Sequence, residues 1–375
     1  MNKSVFFFLL PLLAINSCKK DTRIKVINDD KDVVLELKPS YNNPRNSEGD
    51  FVTLKDGRLL FVYTHHTGSS WADDSAAYLA GRYSTDSGKT WHKEERVIVG
   101  QEGKMNVMSA SLLRLKNGKI ALFYMVKNSP VDCKPYMRIS DDEGETWGTP
   151  INCITNRNGF FVVNNNRVIQ LKNGRIILPV ALHKEEDEPN RNYLIGKIFT
   201  YYSDDNGQTW KSGNMLQNPK NILIQEPGVI ELNDGRLLML LRTNQKRQFY
   251  TYSNDHGKSW GVMAPTTLKS PVSPASMARI PSTGDIMVVW NNNDDETPST
   301  RSHRTPFNLA ISKDEGKTWG NIKTIEDNKD GMYCYTAIHF IGDHVLLGHC
   351  AGLMSRTQGL CVTHITRLST RWIYN

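Results

Sequence analysis

Ser84-Thr85-Asp86-Ser87-Gly88-Lys89-Thr90-Trp91 decides the fold, because the chain returns to the same pattern four more times. The copies begin at Ser140, Ser203, Ser253 and Ser312 and end at Trp147, Trp210, Trp260 and Trp319, so five of the eight tryptophans occupy one motif position. The copies lie roughly fifty to sixty-three residues apart, the spacing of a repeated supersecondary unit. Each follows an apolar segment bearing Tyr or Ile, so its Asp and Gly are expected to fold a compact turn with the Trp packed beneath. That makes the motif a structural clip, and none of its Asp residues is expected to be catalytic.

A second repeat runs between the first. Leu54-Lys55-Asp56-Gly57-Arg58 reappears as Leu115 to Lys119, Leu171 to Arg175 and Leu232 to Arg236, with looser versions at Gly284-Asp285 and Gly342-Asp343. Asn-Gly or Asp-Gly between apolar, β-branched segments is hairpin chemistry, since Gly accepts the positive φ of a tight turn. Six strand-turn-strand units follow. Units of about four strands closed in a ring leave only short, protected edges, so the expected fold is all-β, a six-bladed β-propeller with very little helix. The strand near Leu360 to Trp372 is expected to complete a blade begun near Ile24 to Leu37.

The first residues differ in kind. Lys3 precedes an apolar run from Val5 to Ile15 that is too short to span a bilayer stably and reads as a signal peptide. It ends in Ile15-Asn16-Ser17-Cys18, which resembles the lipobox of bacterial lipoproteins; the alternative is an ordinary signal cut nearby. The expected organisation is a signal peptide at 1–17, a segment at 18–40 anchored through lipid on Cys18 and contributing the closing strand, and the propeller at 41–375. The expected location is the periplasm or the cell surface, with contact to the membrane only through the lipid.

Among 375 residues, 46 Lys and Arg against 39 Asp and Glu give a net charge of +7. The basic residues are scattered among acids rather than gathered into runs, so nucleic acid is not an expected partner and an acidic substrate is weakly favoured. Five cysteines besides Cys18 show no close pairing of the zinc-binding kind. Cys133 with Cys153 is one disulfide that export would permit. His65 and His66 point to opposite faces of a strand and cannot share one ion, so no metal and no cofactor are expected.

The Asp-box spacing and hairpin pattern, from about residue 40 onward, resemble the sialidases and the wider neuraminidase-like group. That resemblance implies hydrolysis of a terminal α-linked acidic sugar with retention, by a Tyr nucleophile, a Glu that deprotonates it and an Asp acid/base. A neutral Tyr suits an anionic substrate, which would repel a carboxylate nucleophile, and arginines suit the substrate carboxylate through paired parallel hydrogen bonds.

Carried onto this chain, Asp73-Asp74 resembles the loop of the acid/base Asp, with Asp73 first and Asp74 second. The segment from Gln225-Glu226 through Gly235 to Arg242 resembles the one that supplies the activating Glu226 and a carboxylate-binding Arg242. Arg304 matches another carboxylate arginine, and Cys334-Tyr335-Thr336 matches the nucleophile, Tyr335. A structural Glu226–Arg242 ion pair and a core aromatic at Tyr335 are the competing readings.

The family's first arginine stands in Arg-Ile-Pro on the first inner strand, whereas this chain reads Ser47-Glu48-Gly49-Asp50-Phe51. Counting back from Gly57 puts Ser47 or Glu48 at that place, and Glu48 would repel a substrate carboxylate. Either Arg45 substitutes from a shifted loop, or the sugar is not a sialic acid. Asn164-Asn165-Asn166-Arg167 and Asn291-Asn292-Asn293-Asp294-Asp295 are either further lining, with Arg167 a supporting anchor, or turn chemistry. A glycan is the expected partner; the sequence is silent on oligomeric state. The rivals are a non-catalytic propeller that binds glycans or proteins, and a lyase on the same scaffold.

Overall fold

A computed structural model describes residues 1, 28–185, 187–188, 190–294, 303–357 and 359–375. Cys18 and the apolar leader lie outside the described residues, as does Asp295. No helix among the described residues is long and apolar enough to cross a membrane.

The strands run β1 (Lys31–Leu37), β2 to β5 (Asn46–Thr53, Leu59–His66, Ala77–Ser84, Arg96–Val99) and β6 to β9 (Asn106–Arg114, Ile120–Ser129, Asp132–Ser140, Ile151–Asn152). There follow β10 to β14 (Phe160–Val162, Ile169–Gln170, Ile176–Lys184, Lys197–Ser203, Lys211–Ser212) and β15 to β18 (Ile224–Glu231, Leu237–Thr243, Arg247–Ser253, Ala264–Lys269). The chain ends through β19 to β22 (Ser276–Arg279, Ile286–Asn291, Phe307–Ser312, Gly320–Glu326) and β23 to β25 (Gly331–Ile341, His344–Leu353, Thr363–Ser369). The two described helices, α1 (Met354–Thr357) and α2 (Thr370–Tyr374), are a single turn each.

Local chemistry explains the hairpins. Gly57 adopts φ +87 and a Cβ there would meet no atom within 4 Å, so the turn needs its backbone freedom rather than its small size. The Asp-box turns are built alike. In the first, Ser84 Oγ accepts from the Gly88 amide at 3.0 Å, and Asp86 accepts from the amide and hydroxyl of Thr90 at 2.9 and 2.6 Å. The same bonds recur around Asp142, Asp205, Asp255 and Asp314. Each Asp is consumed by its own turn.

Among the described residues, hydrogen bonding defines five sheets rather than six separate units. β2–β5, β15–β18 and β19–β22 are four-stranded meanders; β1 joins β23–β25 by pairing antiparallel with β25, from Lys31 opposite Leu368 to Leu37 opposite Thr363. The units β6–β9 and β10–β14 merge because Phe160 pairs in parallel with Cys133. The sequence offered no sign of that link, which depends on one residue of a three-residue strand.

The core lies between successive sheets. Val52, Leu60 and Val62 pack on Val107, Leu112 and Leu122; Phe123 and Met137 pack on Leu178 and Phe199; Ile177 and Ile198 pack on Val229 and Met239. Phe51 and Phe61 in turn meet Leu346 and Ile365, which brings the first meander against the sheet that holds β1 and β25. Each such side chain contributes roughly 1.5–3 kcal/mol through burial. The Cys133–Cys153 disulfide is not formed: both thiols are free and buried in the apolar cluster shared by β6–β9 and β10–β14. Burial pushes the Cys133 thiol up to about 12, so it is held there as an apolar side chain.

Candidate active site

Four strands, β2, β6, β15 and β23, carry the same irregularity among the described residues. Pairing slips between Ser47 and Asp50 in β2, Met108 and Ser111 in β6, Gln225 and Gly228 in β15, and Cys334 and Ala337 in β23. Inside each slip one residue takes a left-handed φ: Glu48 at +54, Ser109 at +60, Glu226 at +48 and Tyr335 at +54. A bulge re-aims the side chain it carries, and a non-Gly residue in this region costs of order 1–2 kcal/mol. All four side chains line one cavity of about 130 Å³, together with Asp73 and Lys127. Past Asp73, Lys127 and Phe160 it opens into a wider space of about 440 Å³ beneath His183 and Tyr193.

At the centre, the Tyr335 hydroxyl lies 3.4 Å from Glu226 Oε1, and Arg242 donates to Glu226 Oε2 at 2.5 Å. Arg304 lies with its guanidinium 5.3 Å from the Tyr335 ring centre and donates to Cys334 Sγ at 3.0 Å. Its backbone is fixed because Asn291 and the Tyr333 amide both donate to the Arg304 carbonyl, at 2.7 and 3.0 Å. The Nε atoms of Arg242 and Arg304 are buried without a hydrogen-bond partner.

These neighbours set the protonation states. Burial alone would raise Glu226, but Arg242 and Arg304 hold its carboxyl below the usual range, so it is a carboxylate ready to accept a proton. Burial and the Glu226 charge push the Tyr335 phenol well above its ordinary value despite both arginines, so it rests neutral. Burial opposes ionisation of Cys334 as well, yet the Cys350 thiol and the Arg304 charge bring it down to about 7.

Arg45 is buried, and groups of the protein itself take its donors. It bonds Ser47 Oγ at 3.0 Å, the Trp71 carbonyl at 3.4 Å, Glu48 Oε1 at 3.3 Å and, most closely, Asp73 Oδ1. Asp73 stands at the cavity mouth with its side chain 66% exposed. Desolvation there opposes it, but the charge and hydrogen bond of Arg45 hold Asp73 below the ordinary carboxylate value. Asp74 lines only the wider space.

Arg167 is not brought to the Tyr335 cavity. It donates to Ser276 Oγ and the Ala275 carbonyl at 3.0 and 2.9 Å and faces a separate cavity beside Gly228. Of its neighbours, Asn164 lines the Tyr335 cavity, while Asn165 donates to the carbonyls of Gly49 and Tyr335 at 2.7 and 2.9 Å and ties two bulges together. Asn166 donates to buried Asp50 at 2.8 Å. The two histidines occupy unlike settings: His65 stacks on Tyr78 and meets Glu95, whereas burial brings His66 down to about 3.

Ser109, Lys127 and Cys334 belong to the site and were missed in the sequence. A signal for Ser109 was present: Glu48, Ser109 and Glu226 each stand nine residues ahead of a hairpin glycine, at Gly57, Gly118 and Gly235. Lys127 carries no such mark. Its Nζ donates to the Asp73 carbonyl at 3.0 Å across fifty-four residues of sequence.

Fold and centre together define an Asp-box repeat protein of the sialidase-like class. The chain matches the BNR repeat-like domain over residues 72–346 and belongs to that family. A sialidase from Paraclostridium sordellii is 30% identical over 241 residues, 57% of this chain and 56% of that protein. One from Bacteroides fragilis (strain YCH46) is 24% identical over 324 residues, 76% of this chain and 57% of its own length. The chain thus spans little more than half the length of these curated relatives. It shares its fold with the K499G mutant of NanB sialidase from Streptococcus pneumoniae, at a TM-score of 0.71 and 16% identity over 95% of this chain and 73% of that one.

Proposed function

We propose that the protein is a retaining exo-glycosidase of the sialidase type, with its units closed as a six-bladed propeller, removing terminal α-linked sialic acid or a related acidic sugar from glycoconjugates. The observation that carries this reading is the Tyr335 hydroxyl 3.4 Å from a Glu226 carboxylate that two arginines keep ionised. Tyr335 attacks the anomeric carbon as its proton passes to Glu226, and a carboxyl at the cavity protonates the leaving oxygen. Arg242 and Arg304, which flank Glu226 and the Tyr335 ring, support an acidic group held on that side.

Glu48 favours a second reading. Glu48 lines the cavity where an arginine would serve a substrate carboxylate, and Arg45 is spent on Asp73 and Glu48, so a glycone without a carboxylate is the alternative. The leader at 1–17 and Cys18 support export as a bacterial lipoprotein facing the periplasm or the medium.

The test is to incubate the domain begun after Lys20 with aryl glycosides that include the α-sialoside and neutral sugars, and to record aryl release. Release by the parent that falls roughly a thousandfold or more in Tyr335→Phe, with binding retained, is expected. Equal release by the variant would refute the nucleophile, and release from neutral glycosides alone would establish the second reading.

A further inference from the structure

Three carboxyl groups line the Tyr335 cavity: Glu48, Asp73 and Glu226. Displacement through a tyrosine needs one to take the phenol proton and another to deliver a proton to the leaving oxygen. Glu226, paired with Arg242 beside the phenol, suits the first task. Asp73 suits the second poorly. It is the nearer partner of Arg45, Lys127 sits on its own carbonyl, and it stands largely in solvent.

Glu48 is set differently. It is 7% exposed, and its Oε2 accepts from the Ser109 hydroxyl at 2.8 Å. Its contact with Arg45 is the longer of that arginine's two carboxylate contacts, at 3.3 Å. Asp73 at the mouth and Glu226 from β15 add negative field from two further sides, and Arg45 is the cation in contact with Glu48. Burial raises the Glu48 carboxyl, Arg45 pulls it back and the two carboxylates raise it again, leaving it above its ordinary value. Paired carboxyls whose surroundings drive them apart divide acid from base. The bulge that delivers Glu48 is also the device that delivers Glu226 and Tyr335, held here at the cost of a left-handed glutamate.

We propose that Glu48 is the proton donor of this site and that Asp73 is a positioning residue that keeps Arg45 in place. The proposal rests on the glycosidase reading above. The Glu48 O–H proton passes to the glycosidic oxygen as the bond from that oxygen to the anomeric carbon breaks, while the Tyr335 oxygen bonds to the carbon and its proton passes to Glu226. Water then displaces the Tyr335 oxygen from the carbon, its proton goes to the Glu48 carboxylate, and Glu226 returns a proton to the phenolate. Each group ends as it began.

The experiment compares Glu48→Gln and Asp73→Asn on two aryl glycosides of a sugar that the parent turns over, one with a nitrophenol leaving group and one with unsubstituted phenol. An acid is needed for the poor leaving group and hardly at all for the good one. Glu48→Gln should lose roughly 10²–10⁴-fold in kcat/KM on the phenyl glycoside and less than about tenfold on the nitrophenyl one. Asp73→Asn should lose by a similar factor on both. Gln is isosteric and uncharged, so a melting curve and circular dichroism like the parent's are expected. Equal losses in Glu48→Gln, or a leaving-group dependence that appears in Asp73→Asn instead, overturn the proposal and return the role to Asp73. A parent that releases neither phenol from any sugar refutes the glycosidase reading itself, and the proton donor with it.

Discussion

Replacing Asp50 by Asn should change stability by an amount whose sign depends on pH. Asp50 is 1% exposed, and burial pushes its carboxyl up to about 7 even though three groups donate to it. Oδ1 accepts from the Phe51 amide at 2.7 Å and from Asn166 at 2.8 Å, and Oδ2 accepts from the Leu112 amide at 2.7 Å. In the unfolded chain the group loses its proton near 4; in the folded chain it keeps it until about 7. Unfolding therefore releases a proton between those values, and the parent loses stability there at about 1.4 kcal/mol per pH unit, roughly 4 kcal/mol in all. Asn titrates in neither state, but its NH₂ must face one of the three donors, which costs about 1–3 kcal/mol. The variant should thus be weaker near pH 5 and equal to or more stable than the parent by pH 8. Urea unfolding at several pH values, followed by tryptophan fluorescence and circular dichroism with coincident transitions, measures the difference, and every other titrating group cancels from it. A difference that stays constant from pH 4.5 to 8 would mean that the three donors keep Asp50 ionised throughout, and the argument would fail.

Arg304→Lys keeps the charge but loses the planar fork that lies over Tyr335 while bonding Cys334, so KM for an anionic aryl glycoside should rise about 10–100-fold; an unchanged KM would take Arg304 out of substrate binding. Ser140→Ala removes the hydroxyl that donates to Asp142 at 2.8 Å and accepts from the Gly144 amide at 2.7 Å. It should cost about 1–3 kcal/mol and lower the melting midpoint by a few degrees, with kcat/KM held within about twofold; a midpoint at the parent's value would show that this turn does not need its hydroxyl.

What could be read from the sequence was what the chain settles within a few residues. An Asp box bonds Ser84 to Gly88 and Asp86 to Thr90, a span of seven residues, so its pattern survives as a repeat. The hairpin glycines announce themselves for the same reason. The merging of two units through Phe160 and Cys133 was hidden, because it depends on where two distant strands meet. The site divides likewise. Tyr335, Glu226, Arg242 and Arg304 were picked by resemblance, and the structure brings them together. Arg167 looked like a guanidinium for substrate, but its donors turn to Ser276 and Ala275 at the start of β19, more than a hundred residues away. Glu48 read as a missing arginine. That it faces Ser109 and shares Arg45 with Asp73 follows from bulges and burial, which only the paired strands determine.

The pairing of β1 with β25 also governs the order in which the molecule can be completed. β1 waits for β25, with Lys31 opposite Leu368, so a growing chain that has not yet reached residue 363 carries β1 without its sheet neighbour. A product cut short before residue 363 would retain two unsatisfied strand edges, on β1 and on β24. Such edges invite pairing with other chains and mark a protein for aggregation or degradation. Joining β1 to β25 in one sheet thus makes residues 363–369 a check on everything between the two strands: a fragment that lacks them, however well its meanders fold, leaves that sheet incomplete.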